Sequence, residues 1–468
     1  MCGIAGVWRH SSSSLEESID KDLIFSALKH RGPDDQGEWT SEDFRASLMQ
    51  TRLSIVDLSN NGHQPMVSHS GRYVITYNGE IYNHEIIRDE LILQGVSFSG
   101  TSDTEVLIEA LDKWGLEETL GKLNGMFSIA LYDRVLKSLT LARDRLGEKP
   151  LYYGFKDGAV FFASELKAFK GWRDFSGEIS QRAISQYLFY GFIPAPLSIF
   201  TEVKKLTPGH VITFDSPSLP ESAPYWNLSK VINQRSVIKL KRAEVLLDLE
   251  SLLLDSVNLR MKSDVRMGTF LSGGVDSSLI TALIQSQSDV RFDSYTISFD
   301  DENFNEGPAA KKIADFIGTN HHEITISESD LVDIVPKLSE IYCEPFADES
   351  QIPTVLVSKL AAREVKVILS GDGGDELFGG YNRHIAANSM ETNFGGISIS
   401  VLKFFEPMFT PKLRVVMQKL LGKFGFSINL SQLHKLVDGF GAKSDVEVYQ
   451  ALLKCSDSPG KENLGAQN

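Results

Sequence analysis

The sequence predicts two domains: an N-terminal α+β domain from Cys2 to about Asp215, and a C-terminal α/β domain with a doubly wound, mostly parallel sheet. Three observations predict it. The chain has 468 residues, more than one ordinary hydrophobic core holds. Strand-like runs dominate the first half, with few helices, whereas strand and helix alternate in the second. Between the halves, Ser216–Ser229 is dense in turn formers and has no periodicity, so 216–239 reads as a connector and 240–468 as the second domain.

Each element follows from its residues. Cys2–Trp8 and Arg72–Tyr82 are rich in Val, Ile and Tyr and read as strands. Asn83–Gln94 and Thr104–Trp114 carry apolar residues at helical spacing, for example Val106, Leu107, Ala110 and Leu111. Met126–Asp133 and Ser138–Asp144 read as neighbouring strands joined by a short turn. After the connector, Leu240–Met261 predicts an amphipathic helix, with Val245, Leu246, Leu249, Leu252, Leu253 and Val257 on one stripe. Then come strand Met267–Leu271, helix Ser277–Gln285, strand Phe292–Phe299, helix Glu306–Ile317 and the apolar strand Val365–Leu369. The polar segment Ser456–Asn468 is expected to fray.

Composition excludes several classes. Hydrophobic residues make up 42% and charged ones 23%, as in a water-soluble globular protein. No apolar run reaches the length of a membrane span, and Met-Cys-Gly-Ile-Ala-Gly is not a signal peptide. The three cysteines, Cys2, Cys343 and Cys455, are odd in number and far apart, which argues for a reducing, cytoplasmic compartment rather than a disulfide scaffold. A formal charge of -15 disfavours nucleic acid and anionic membranes as partners.

Cysteine at position two has a chemical consequence. Initiator methionine is commonly trimmed before a small residue, which would make Cys2 the first residue, with its own α-amine as general base. Ordinary pKa values of about 8 for the amine and about 8.5 for the thiol make that pairing workable near neutrality. Position alone is weak support, since most second-position cysteines are incidental. The companions are His30-Arg31-Gly32-Pro33-Asp34, Arg52-Leu53-Ser54-Ile55-Val56-Asp57, Asn78-Gly79-Glu80-Ile81-Tyr82-Asn83 and Ser102-Asp103-Thr104-Glu105. In this order and spacing they resemble the class II glutamine amidotransferase domain of the asparagine synthetase family.

That resemblance implies an Ntn-hydrolase-like αββα sandwich and a glutaminase with Cys2 as nucleophile. Deamidation passes through an oxyanion that needs fixed donors, and Asn78 (side chain) and Gly79 (backbone N–H) match the family's oxyanion hole. Arg52 matches the position that takes the substrate carboxylate, for which a planar fork suits better than an ammonium. Asp103 matches the acceptor for the substrate ammonium, with Glu80 beside it, and Leu53, Ser54, Ile55 and Val56 would line the pocket. Alone, Asn78-Gly79 is also a common hairpin turn and Arg52 an ordinary salt-bridge arginine. His30 and Asp34 have bracing as an alternative role.

In the second half, Leu271-Ser272-Gly273-Gly274-Val275-Asp276-Ser277-Ser278 joins a strand to a helix. Its glycines let backbone N–H groups approach an anion, and the helix N-terminus adds donors and a favourable dipole. It lacks the lysine of a P-loop, and no G-x-G-x-x-G fingerprint occurs. It resembles the pyrophosphate loop of the N-type ATP pyrophosphatases, which implies an adenine nucleotide alpha hydrolase-like fold. Ser370-Gly371-Asp372-Gly373-Gly374-Asp375-Glu376 follows the strand Val365–Leu369, and its carboxylates suit Mg²⁺ against phosphate oxygens. By the family match Leu271, Ile297, Ser370 and Gly371 contact ATP, and Ser272, Gly273, Gly274 and Ser277 hold its pyrophosphate portion. The same match implies that Asp276 and Asp375 hold the metal. Asp372 falls at an acidic position linked to adenylate formation, where many members have Glu. Glu344-Pro345-Phe346-Ala347-Asp348 also fits the pattern, as acceptor-site frame or helix cap. His321-His322 lacks metal-ligand spacing and is expected to be structural.

The resemblance runs from Met1 to about Tyr381, and more loosely to about Leu453. It implies a ligase that hydrolyses glutamine, activates a carboxylate with ATP as an acyl-AMP, and lets ammonia attack it. The products would be an amide, AMP and pyrophosphate. Aspartate is the favoured acceptor; the alternatives are another carboxylate such as a sugar uronate, or a chain retaining only glutaminase or nucleotide binding. The family's later Arg-x-Pro-Phe-Leu-Asp and lysine-bearing segments have no counterpart after Tyr381, so the synthetase domain is expected to be incomplete at its C-terminal end. A homodimer is expected by analogy.

Overall fold

The computed structural model describes residues 1–11, 19–234, 241–300, 305–381, 384 and 453. They form two compact units. The larger comprises residues 1–183, 194–345 and 349–370; the smaller takes in 184–193, 346–348 and the described residues from 371 onward.

Alternating and apolar runs in the first part of the larger unit fold as strands β1 (Gly3–Arg9), β2 (Asp35–Thr40), β3 (Ala46–Arg52), β4 (Met66–Val67), β5 (Tyr73–Ile81) and β6 (Gly125–Asp133). There follow β7 (Ser138–Arg143), β8 (Tyr152–Lys156), β9 (Ala159–Ala163), β10 (Val203–Lys205), β11 (His210–Phe214) and β12 (Ala223–Pro224). They build two six-stranded sheets in the orders β10-β8-β9-β1-β3-β2 and β12-β11-β7-β6-β5-β4. Pairing is antiparallel throughout both, for example β1 with β3 and β5 with β6.

Period-two alternation sorts the side chains into layers. Ile4 and Trp8 of β1 pack between the sheets against Val74, Tyr132 and Leu141. Their neighbours Ala5 and Val7 face the other way, onto Ile24 and Leu28 of helix Lys21–Leu28 and onto Phe169 and Trp172. On the second sheet Ile75 and Leu131 turn outward to meet Ile87, Leu91, Val106 and Leu111 of helices His84–Leu93 and Asp103–Trp114. Three apolar interfaces therefore stack four layers: helix, sheet, sheet, helix.

The second part of the larger unit is α/β. Strands β13 (Met267–Phe270), β14 (Asp293–Phe299), β15 (Asn320–Ile326) and β16 (Val367–Leu369) form a sheet of order β15-β14-β13-β16. Every pairing is parallel. Leu271 packs with Ala310 and Ala314 of helix Gly307–Ile317. Phe270 and Tyr295 pack instead with Val357, Leu360 and Ala361 of helix Gln351–Ala361. In the smaller unit, Gly373 and Gly379 take left-handed conformations at the two ends of the short helix Gly374–Phe378.

Asn78-Gly79 lies inside β5, opposite Ser128 and Phe127 of β6, within the stretch Arg72–Tyr82 expected as a strand; the hairpin turn that the dipeptide alone suggests does not form. A Cβ on Gly79 would sit 2.2 Å from the Met126 carbonyl, so glycine there permits close strand approach rather than chain reversal. Two expectations need correction. The helix Arg242–Arg260 forms, but of its apolar stripe Val245, Leu246 and Leu252 are exposed and only Val257 is buried. Periodicity defines a helix face without supplying a cover for it. The expected connector is partly ordered, since β12 pairs with β11 and Leu228–Gln234 is helical. Among the described residues no helix is long and apolar enough to cross a membrane. The expected fraying of Ser456–Asn468 lies outside the described residues.

Candidate active site

Two strands deliver the groups expected at the site. β1 begins at Gly3 and carries Cys2 at its start, while the neighbouring β3 ends at Arg52, so Cys2 and Arg52 emerge at the same edge of one sheet. The Cys2 Sγ accepts the Leu53 N–H at 3.4 Å. Behind it, the Arg31 Nε donates to the Cys2 carbonyl at 2.9 Å, and the Arg31 guanidinium pairs with Glu165 at 2.8 Å. Glu165 also meets His30 at 2.9 Å and Lys167 at 3.0 Å. Burial raises its carboxyl pKa, but hydrogen bonds from His30 and Arg31 and the Arg31 charge outweigh this and hold it well below the usual carboxylate range.

Cys2 opens onto a cavity lined by Arg52, Leu53, Ile55, Val56, Asn78, Gly79, Glu80 and Asp103. Of the residues expected to bind glutamine, Ser54 is the exception: it is not in the lining, and its N–H is taken by the Asp34 carboxylate at 2.9 Å. The lining further includes Ser102 and Thr104, which flank Asp103 in the quoted run, and Met1, Gly62, Gln64, Tyr77, Met126 and Lys149, which the sequence did not assign to the pocket. Tyr77, beside Asn78, was the most findable; nothing local distinguishes Gln64 or Lys149.

Three features give the cavity its chemistry. Asn78 is 1% exposed, and neither its Oδ1 nor its Nδ2 has a hydrogen-bond partner. An unpaired buried amide is costly unless a ligand completes it. Arg52 donates to the carbonyls of Ser59 at 3.0 Å and Val56 at 3.5 Å, and to that of Asp57. These acceptors are neutral, so the guanidinium charge remains for an anion. Gly62 makes room for it, because a Cβ there would lie 1.9 Å from the Arg52 Nη2. Asp103, at the start of the helix capped by Ser102, accepts the Tyr77 hydroxyl at 2.8 Å and the Ile81 N–H at 3.0 Å. A carboxylate has about four acceptor sites, so two donors leave capacity for an ammonium. The cavity thus holds a cation, an anion, a thiol and an orphan amide, complementary to an amino acid with a side-chain amide.

Titration is perturbed there. Burial raises the Cys2 thiol pKa, against the opposing Leu53 N–H and the N-terminal charge. It lowers the amine of Met1, as the chain stands, to about 6. Burial, reinforced by Asp103, raises Glu80 to about 7. The Met1 side chain sits within the cavity, its Sδ 3.0 Å from the Lys149 Nζ.

In the parallel sheet, the Leu271 N–H donates to Tyr295 at 3.0 Å at the end of β13. Ser272 and Ser277 exchange a hydroxyl hydrogen bond of 2.8 Å across the glycine turn, and the Gly274 N–H donates to the Ser272 Oγ at 3.1 Å. Helix Val275–Ser286 begins at Gly274 without a side-chain cap, and Asp276 lies in its first turn. Ile297 is on β14, opposite Ile324, and Ser370 follows β16. Gly371, Asp372 and Asp375 belong to the smaller unit, where the Gly374 N–H donates to the Gly371 carbonyl at 3.1 Å. His321 and His322 point to opposite faces of β15: one reaches Ser294 at 3.0 Å, the other Asp293 at 3.2 Å. Among the described residues no group of three or more His, Cys, Asp or Glu is arranged to hold a metal.

The cavity and strand architecture define a class that comparison with known proteins extends. A family model for the glutamine amidotransferase domain matches residues 1–226, and one for asparagine synthase matches 248–450. A Methanocaldococcus jannaschii protein, provisionally named glutamine-hydrolysing asparagine synthetase 2, is 34% identical over 420 residues, covering 84% of this chain and 78% of that one. The glutamine-hydrolysing asparagine synthetases 1 and 3 of Bacillus subtilis are 35% and 33% identical, covering 82% and 81% of this chain. The chain spans 59% and 63% of the length of those two. The chain belongs to the glutamine-hydrolysing asparagine synthetase family.

Proposed function

We propose that the chain hydrolyses glutamine at Cys2 and transfers the ammonia to a carboxylate activated by ATP, with aspartate as acceptor and asparagine, AMP and pyrophosphate as products. The observation that carries the glutaminase half is the buried, unpartnered Asn78 amide in a cavity shared with Cys2, Arg52 and Asp103. In this reading Arg52 takes the substrate carboxylate and Asp103 its ammonium, which directs the side-chain amide at Cys2. With Met1 removed, the Cys2 α-amine accepts the thiol proton as sulfur attacks the amide carbon. The oxyanion is met by the Asn78 Nδ2 and the Gly79 N–H. Ammonia leaves with a proton, and water hydrolyses the thioester to glutamate. Leu53, Ile55, Val56 and Glu80 complete the walls.

For the second half-reaction, Ser272, Gly273, Gly274 and Ser277 offer hydroxyl and backbone donors at an uncapped helix N-terminus, which suits a pyrophosphate. Leu271, Ile297, Ser370 and Gly371 are assigned to the rest of ATP, and Asp372 to adenylate formation. By the family match Asp276 and Asp375 are assigned to Mg²⁺, which when bound would neutralise phosphate charge. In this reading 2–215 is an Ntn-hydrolase-like αββα domain and 240–468 an adenine nucleotide alpha hydrolase-like domain, and the protein is a cytoplasmic homodimer.

The test supplies glutamine, Mg-ATP and aspartate to the purified chain and follows glutamate, pyrophosphate and asparagine together, with Cys2→Ala as control. Glutamate that depends on Cys2, with asparagine and pyrophosphate in step, supports the whole reading. Glutamate alone leaves the glutaminase and removes aspartate as acceptor. Absence of glutamate from the folded chain overturns the proposal.

A further inference from the structure

Residues 53–59 have no regular secondary structure, yet they supply the carbonyls of Val56, Asp57 and Ser59 that hold Arg52, and the cavity wall at Leu53, Ile55 and Val56. A loop that fixes a buried guanidinium must itself be fixed. Part of its support is local: the Asp57 carboxylate accepts the N–H groups of Ser59 at 3.0 Å and Thr101 at 2.8 Å. The remainder comes from the parallel-sheet half of the same unit. The Asp264 carboxylate accepts the Asp57 N–H at 2.8 Å, and the Asp264 N–H donates to the Ile55 carbonyl at 3.0 Å, so one residue clasps the loop on both sides of Val56. The Lys366 ammonium meets Asp34 at 2.8 Å, on the same carboxylate oxygen that takes the Ser54 N–H.

The positions of these two residues give the contacts their meaning. Asp264 lies three residues before β13 and Lys366 directly before β16, and these strands are paired neighbours, Met267 opposite Val367. At its far end β13 runs into the Ser272–Ser277 turn, and β16 runs into Ser370. The cavity loop therefore rests on the entrances of the two strands whose exits carry the proposed nucleotide loops.

We propose that Asp264 and Lys366 are positioning residues for the Cys2 cavity, holding loop 53–59 so that Arg52 is set for its substrate. In this way the parallel-sheet half governs glutamine affinity. The inference rests on the glutaminase reading for its kinetic consequence but not for its structural one. Asp264 makes two of the contacts and has the larger share, since an exposed ion pair such as Lys366–Asp34 contributes little by itself.

The test compares D264A, D264N, K366M and the wild type by amide hydrogen exchange and by glutamine kinetics. D264A is expected to speed exchange over 53–59 while leaving β3 protected, and to raise the glutamine KM about tenfold, a loss of about 1.4 kcal/mol. Its kcat should stay within about twofold. D264N keeps an acceptor oxygen and should restore both readouts, and K366M should shift them in the same direction by less. Wild-type exchange over 53–59 in D264A overturns the inference, as does faster exchange with an unchanged KM or a fall in kcat alone. Failure of the glutaminase reading is seen separately, as wild-type protein that makes no glutamate; exchange then decides the clasp by itself.

Discussion

Arg31 grips the backbone carbonyl of Cys2 at 2.9 Å, so the proposed nucleophile is held by its main chain while its Sγ, accepting the Leu53 N–H at 3.4 Å, lines the cavity. Glu165 in turn holds Arg31 at 2.8 Å, with both side chains nearly buried. Breaking one side of a buried pair leaves an uncompensated charge. Glu165→Ala is therefore expected to destabilise the chain by about 3 kcal/mol, measured by urea unfolding at neutral pH. Because the folded-state pKa of Glu165 is depressed below its ordinary value, its contribution is present above that value and fades as the pH falls. The difference between wild type and variant should accordingly shrink in acid.

Asn78 separates catalysis from stability. Its amide has no partner in the folded chain, so Asn78→Ala removes no internal hydrogen bond. We expect glutamate formation to fall about 100- to 1000-fold in kcat, with the thermal midpoint within a few degrees of wild type. A large loss of stability would show that the amide braces the fold instead.

Gly62 is packed against the Arg52 guanidinium. A methyl group there requires Arg52 to move, since the Cβ would fall 1.9 Å from its Nη2. Gly62→Ala should raise the glutamine KM by roughly tenfold or more with a smaller change in kcat, as steady-state kinetics would show. An unchanged KM would separate Arg52 from the substrate carboxylate.

Glu80 supplies a pH signature. Burial and the neighbouring Asp103 raise it from 4.5 to about 7. The folded state then binds more protons than the unfolded state between those values, so stability from this group falls as the pH rises through them and levels off above. Relative to Glu80→Gln, the wild-type thermal midpoint should decline between pH 4.5 and pH 7.5. Parallel midpoints for the two proteins would remove Glu80 as the source.

The residues that belong to short contiguous runs were legible in the sequence. Arg52, Asn78, Gly79 and Asp103 stand in recognisable patterns, and the structure gathers them around Cys2. Ser54 alone of its run is not in the lining, its N–H being taken by Asp34, and a run does not show which of its members meets the cavity. Gln64 and Lys149 were missed because they reach the cavity from distant segments without a local signature; Gln64 is placed by hydrogen bonds to the Tyr77 N–H at 2.7 Å and the Thr104 hydroxyl at 2.9 Å. Strands such as β2 (Asp35–Thr40), with sequence DQGEWT, show little alternation, and pairing with β3 makes them strands.

By itself the sequence determined the chemical inventory, the α+β and α/β halves and the approximate position of most named elements. Hydrophobic periodicity and glycine placement act over a few residues and are written locally. Only the tertiary structure decided which groups share a cavity and that the loop behind Arg52 is clasped by Asp264 from 207 residues away. Those outcomes depend on long-range pairing and burial, which no local stretch of chain encodes.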